Sequence, residues 1–187
     1  MFISSIMKIS DITVVTTSRD KLVEINKILG TNHKISKIEI PEIQSLNLDE
    51  VITEKAKTAY KLIKKPVLVE DVSLQMKALK GLPGTFIKFF LNTLGTEGTV
   101  ALVKNKKTDT KVTDAIAIYD GKNLKVFKGT VYGTLSPKNR GSYGFGFDKV
   151  FIPKGYTKTY AQMLDKLKNK ISHRARALQK VKVYFTF

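Results

Sequence analysis

The sequence predicts an α/β protein built on a mixed β-sheet. Short β-branched runs alternate with segments of helical periodicity along the whole chain. Asp120-Gly121 stands between two strand-like arms, a hairpin signal that requires an antiparallel pair. No repeat, low-complexity tract or Pro/Ser-rich linker interrupts the pattern, so residues 1–187 read as one domain.

Ile12 to Val15 (ITVV) reads as a buried strand. Thr16, Thr17 and Ser18 lead from it into a helical pattern, KLVEINKIL, that stops at Gly30. Ile35 to Ile40 (ISKIEI) reads as a strand stopped by Pro41. Leu48 to Ile63 reads as a long amphipathic helix whose stripe is Leu48, Val51, Ile52, Ala59, Leu62 and Ile63. Pro66 opens the apolar run VLV, which ends in Glu70-Asp71. The turn GLPG at 81–84 precedes a helix-like FIKFFLNTL. Val112 to Tyr119 and Leu124 to Phe127 are the hairpin arms. GSYGFGFD precedes a short strand, KVFI, and the tail from Ala161 is mostly helical with Ser172 as an N-cap.

Composition narrows the function. The chain has 187 residues, 42% apolar and 26% charged, which is ordinary globular usage and excludes disorder as the main state. No apolar run approaches the roughly 20 residues that cross a bilayer, so no membrane is expected. MFISSIMKIS is too short and too interrupted by Ser and Lys for a secretory leader, and Met7 is an alternative start. Cys is absent, which excludes disulfides, thiolate metal sites and Cys nucleophiles and fits a cytoplasmic location. Two His residues argue against a His-rich zinc centre. Lys and Arg total 33 against 16 acidic residues, a net charge of +17. Such a balance points to a polyanionic partner, or to a Lys-rich solvated surface, since the lysines are scattered.

Five constellations carry candidate chemistry. The first is the strand–turn–helix at Thr16–Lys21: a helix start offers free N–H groups and a positive dipole end to phosphate, or the hydroxyls simply cap the helix. There is no GxxxxGK[ST] loop. The second is Lys55, which helical spacing places on the apolar stripe, where it either snorkels or meets an anion. The third is Glu70-Asp71 at a strand end, with Glu42 at another. Adjacent strand residues point to opposite faces, yet carboxylates clustered in so basic a chain suit a hard-oxygen Mg²⁺ site. The fourth is Tyr143, Phe145 and Phe147 interleaved with Gly144 and Gly146 and followed by Asp148, either a base-stacking loop or core aromatics. The fifth is SHRARAL at 172–178, where His173 and Arg174 oppose the helix dipole and offer donors to a carbonyl oxygen.

These segments together resemble the inosine triphosphate pyrophosphatase (Ham1-type) family over nearly the whole chain. The resemblance rests on PEIQ at 41–44, PVLVEDVSLQMKALKGLPG at 66–84, GFGFD at 144–148, TYAQM at 159–163 and SHRARAL at 172–178, in that order and spacing. It implies an elongated, twisted mixed sheet flanked by helices, in two lobes with the active-site cleft between them. The implied activity is Mg²⁺-dependent hydrolysis of ITP, dITP and XTP to the monophosphate and pyrophosphate, which clears deaminated purines from the nucleotide pool. The implied assembly is a homodimer with no specific nucleic acid.

By the same resemblance, Thr16, Thr17, Ser18 and Lys21 form the phosphate loop. Glu42 and Asp71 are metal ligands, Asp71 is the general base, and Glu70 supports the metal site. Lys55 and Lys168 bind substrate, and Val72 offers its backbone. Phe145, Gly146, Phe147 and Asp148 hold the base, and His173 and Arg174 read its 6-oxo group. Ser18 stands where the family usually has Asn, Phe147 where it has Trp or Tyr, and Lys149 where Pro is common. Two other readings remain: a basic nucleic-acid-binding module, which leaves the carboxylates unexplained, and a Maf-type pyrophosphatase for modified pyrimidine nucleotides, against which the SHR segment argues.

Overall fold

The computed structural model describes residues 7–36 and 38–186. Residues 1–6, on which the leader and start readings partly rest, lie outside the described residues, as does Lys37. The strands are β1 (Thr13–Val14), β2 (Val67–Met76), β3 (Pro83–Gly84), β4 (Thr110–Tyr119), β5 (Leu124–Leu135) and β6 (Phe151–Pro153). The helices are α1 (Arg19–Leu29), α2 (Leu48–Ile63), α3 (Ile87–Ala101), α4 (Asp165–Ile171) and α5 (His173–Thr186).

The α/β class and the mixed sheet hold. Strand order is β1-β2-β4-β5-β6, with β3 added to the edge of β2. β1 runs parallel to β2 and the remaining pairs are antiparallel. The hairpin joins β4 to β5 through Asp120, whose carboxylate accepts from the N–H groups of Lys122 and Asn123. α1 is capped by Ser18 and ends at Gly30, whose φ of 74° is the left-handed stop that glycine favours. α2 has the predicted limits, although Leu62 turns out to solvent and Ala56 takes the inner position.

Three sequence readings are corrected. The segment around Ile35–Ile40 forms no strand among the described residues. Ile35 and Ile40 still pack on the core, but β1 is only two residues long and offers almost no edge to pair with. Glu70-Asp71 does not end a strand, because β2 runs through the pair to Met76 with β4 beside it throughout. The helix predicted to end near Leu94 continues to Ala101 across a kink at Gly95.

Register sorts the sheet into two faces. Leu68, Glu70, Val72 and Leu74 share one face with Val112, Asp114, Ile116 and Ile118. At one end this face packs α1 and α5. At the other end it packs α3 and the turns around Phe147 and Tyr160. Val67 and Val69 share the opposite face with Ala115 and Ala117, under α2. The apolar core is thus split into three clusters around β2, β4 and β5. Gly129 lets α5 lie directly on β5, since a Cβ there would meet His173 O at 2.0 Å. The absence of that side chain sets His173 and Arg174 against the middle of the sheet.

Candidate active site

The site grows from a gap in the edge of β2. β1 pairs with Val67 and Leu68, and β3 with Leu74 and Gln75. Between them no strand covers that edge among the described residues. Backbone groups left there need other partners. Glu70 O accepts from Lys55 Nζ at 3.0 Å, and Val72 N donates to Asp71 Oδ1 at 2.7 Å. The two neighbouring carboxylates leave this strand in opposite directions.

On the α2 side, Lys55 Nζ lies 2.5 Å from Glu42 Oε1 and 3.3 Å from Asp71 Oδ2. The stripe lysine therefore meets anions and does not snorkel. Burial alone would lower its ammonium, but Asp71 and Glu42 outweigh it and raise it above the usual lysine range. Burial would likewise raise Glu42, yet Lys55, then Lys88 and Lys21, bring it below the ordinary carboxylate range. Lys88, in the first turn of α3, was not singled out in the sequence. Its position after the conspicuous GLPG turn was the available signal.

Glu70 does not join Glu42 and Asp71. Its carboxylate lies on the α1/α5 face, bound by Arg174 Nε at 3.0 Å and Nη2 at 2.6 Å, with Lys21 Nζ at 3.5 Å. Burial would raise this carboxyl, but Arg174 and then Lys21 hold it well below the usual range. Arg174 also donates to Glu24, which accepts in turn from Lys168 at 2.6 Å, and Lys168 reaches Asp148. A continuous chain of charges, buried except at the partly exposed Glu24, thus links β2, α1, α4 and α5. Glu24 was missed in the sequence; its spacing three after Lys21 put both on one helix face.

The glycine-rich segment splits its aromatics. Tyr143 is exposed, while Phe147 is in the core against Phe151 and the His173 ring, 5.6 Å between the latter centroids. Phe145 is half-buried beneath two cations, with Lys168 Nζ 4.8 Å and Arg174 Cζ 5.3 Å from its centroid. Asp148 accepts from Phe145 N at 2.9 Å, closing the loop. Gly144 is required there, because a Cβ would fall 2.1 Å from Asp148 Oδ2.

His173 is buried and its Nδ1 has no partner among the described residues. Burial, then Arg174 and Lys168, hold its imidazole well below the usual range, so it is neutral. Ser172 Oγ accepts from Ala175 N at 3.1 Å, the predicted N-cap. In the loop after β1, Thr16 Oγ1 accepts from Ser18 N at 3.1 Å and Ser18 Oγ from Lys21 N at 3.3 Å. Thr17 is exposed.

The structure thus gathers Glu42, Lys55 and Asp71 on one side of the strand gap. It gathers Lys21, Glu70, Lys168, Arg174 and the Phe145–Asp148 turn on the other. No helix of the described residues is long and apolar enough to cross a membrane. Residues 12–184 match the model of the Ham1 family. The chain belongs to the Ham1 family. This Ham1 chain is 43% identical to the inosine triphosphate pyrophosphatase of Yarrowia lipolytica, over 92% of its own length and 94% of that protein's. It is 38% identical to the dITP/XTP pyrophosphatase of Hyperthermus butylicus, covering 91% and 92% of the two chains. The fold is shared with a HAM1 protein from Coxiella burnetii, with a TM-score of 0.78 over 94% of this chain and 98% of that one, at 23% identity.

Proposed function

We propose that this Ham1 chain hydrolyses non-canonical purine nucleoside triphosphates (ITP, dITP and XTP) to the monophosphate and pyrophosphate. The observation that carries this reading is the meeting of Lys55, Glu42 and Asp71 at the uncovered edge of β2, in a chain whose relatives bear these pyrophosphatase names.

Glu42 and Asp71 fit a divalent cation. They are hard oxygen donors that both reach Lys55 Nζ, at 2.5 and 3.3 Å, and no group of three or more metal-type ligands exists among the described residues. Mg²⁺ takes one or two protein carboxylates and completes its shell with phosphate oxygens and water, so two suffice. When bound, Mg²⁺ supplies charge neutralisation and orientation of the triphosphate. Glu70 supports the site from behind by fixing Arg174.

Lys55 and Lys21 offset charge on the departing pyrophosphate, and the Thr16–Ser18 turn presents N–H groups to phosphate. Asp71 takes the proton of the attacking water. The new bond forms at the α-phosphorus, and its bond to the bridging oxygen breaks. Phe145, Gly146, Phe147 and Asp148 bound the base pocket. Arg174 spends three of its N–H groups on Glu70 and Glu24, and the rest of the guanidinium, with His173, faces the 6-position. A 6-amino group would leave buried donors unpaired, at a cost of about 1–3 kcal/mol.

The whole chain, residues 1–187, acts as one such domain on the cytoplasmic pool. It pairs as a homodimer, for which exposed Leu46, Leu82 and Phe89 supply apolar surface. Pyrophosphate release from ITP, XTP, dITP, GTP and ATP, with and without Mg²⁺, tests the reading. Mg²⁺-dependent release favouring the inosine and xanthosine substrates is expected, and equal rates with ATP would overturn it.

A further inference from the structure

A second cavity opens on the α2 face of the sheet, past the N-terminal end of α2. Its volume is about 790 Å³, within the usual range for small-ligand sites. Gln75 lines it and stands four residues along β2 from Asp71, on the same face, so about 13 Å away at roughly 3.3 Å per residue. None of the groups assigned to the cleft lines this cavity.

Its walls are basic. Lys77 and Lys80 come to it from one turn after β2, Lys111 from β4 and Lys154 from the end of β6, and Asp109 is the sole acid among the lining residues. None of these four ammonium groups makes a side-chain hydrogen bond or ion pair among the described residues. Lys55 and Lys168, in contrast, each sit between two carboxylates. Unpaired cations around one hollow repel each other and favour a shared anion. Tyr132 and Tyr156 also line it and are 60% and 41% exposed. Such rings are large apolar surfaces left open to water, and an aromatic face holds a base of any identity by stacking.

We propose that this cavity is a second nucleotide site, which takes the phosphates of a nucleoside triphosphate on its lysines and the base on Tyr132 and Tyr156. It selects charge and a planar ring, not the 6-oxo group. ATP, which the cleft is read as disfavouring, is therefore the probe that separates the two sites.

The test is calorimetric titration of ATP into the full chain in EDTA at low salt, beside a titration with inorganic tripolyphosphate. One ATP per chain is expected. Lys77→Gln with Lys154→Gln, both at exposed positions, should weaken it at least tenfold while ITP hydrolysis stays within twofold. Tyr132→Ala should weaken ATP but not tripolyphosphate, and Lys55→Gln should leave ATP binding unchanged. The proposal is overturned if ATP does not bind at millimolar concentration, if binding is lost with Lys55→Gln and kept in the double variant, or if tripolyphosphate binds as tightly as ATP. A cleft inactive on ITP with the ATP site intact would instead sink the pyrophosphatase reading alone.

Discussion

Arg174 holds Glu70 in a two-pronged grip, Nε to Oε2 at 3.0 Å and Nη2 to Oε1 at 2.6 Å, with both residues almost fully buried. The residues are 104 positions apart in the chain. Removing one partner strands the other charge in a dry interior, which costs about 3–5 kcal/mol. Arg174→Met should therefore lower stability by that amount in chemical denaturation. Glu70→Met with Arg174→Met should be less destabilised than either single variant. Because the Glu70 carboxyl is held below its unfolded value, its contribution is present at neutral pH and is lost as pH falls below about 4. A single Arg174→Met variant as stable as the parent would remove the pair from any structural role.

Asp71→Asn keeps the side chain's shape and one acceptor for Val72 N, but it removes the base and half of the proposed metal pair. Turnover of ITP should fall by about 10²–10⁴-fold or more while the protein still folds, with circular dichroism as the check. EDTA should bring the parent enzyme to the same low rate, and added Mg²⁺ should restore the parent far more than the variant. Normal activity in a folded Asp71→Asn protein would refute the assignment.

His173, neutral and with an unpartnered Nδ1 among the described residues, predicts a loss of discrimination, not of chemistry. His173→Ala should narrow the ratio of ITP to ATP kcat/KM by roughly tenfold, as expected when one buried donor no longer penalises the wrong base. Parallel kinetics on the two substrates measure it, and an unchanged ratio would place base reading elsewhere.

Asp114 is fully buried on the Glu70 face; no donor reaches its carboxyl oxygens among the described residues, but the protonated carboxyl itself donates to Glu70. Burial first, and the Glu70 charge second, push its carboxyl well above the ordinary range. A carboxyl raised in the folded state keeps a proton that the unfolded chain releases. Its stability contribution is thus full below about pH 4 and declines as pH rises, at up to about 1.4 kcal/mol per unit. Asp114→Asn should be more stable than the parent at pH 7, with the gap closing towards pH 4. Thermal melts across that range would show parallel curves if Asp114 were ionised in the fold.

Much of this architecture could be read directly from residues. The limits of α2, the Ser18 cap and Gly30 stop of α1, the turn at Asp120-Gly121 and the Ser172 cap all follow from interactions within a few positions. Such signals are complete in a short window, since helix stripes, caps and tight turns need only near neighbours. The sequence also grouped Glu42 with Asp71 as candidate carboxylates, but it read Lys55 separately, as a stripe lysine that either snorkels or meets an anion.

Other features depended on residues far away in the chain. ISKIEI has a strand's alternation but no edge to pair with, and β2 runs on through two carboxylates because Arg174 and Lys55 neutralise them. Glu24, Lys88 and Asp114 looked like ordinary charged residues until folding brought α1, α3 and α5 to the same strand. Alternation along β2 could state that Glu70 and Asp71 face apart. Only the packing of helices on each face assigns one to a structural arginine and the other to the cleft, because burial and charge pairing are properties of the assembled neighbourhood.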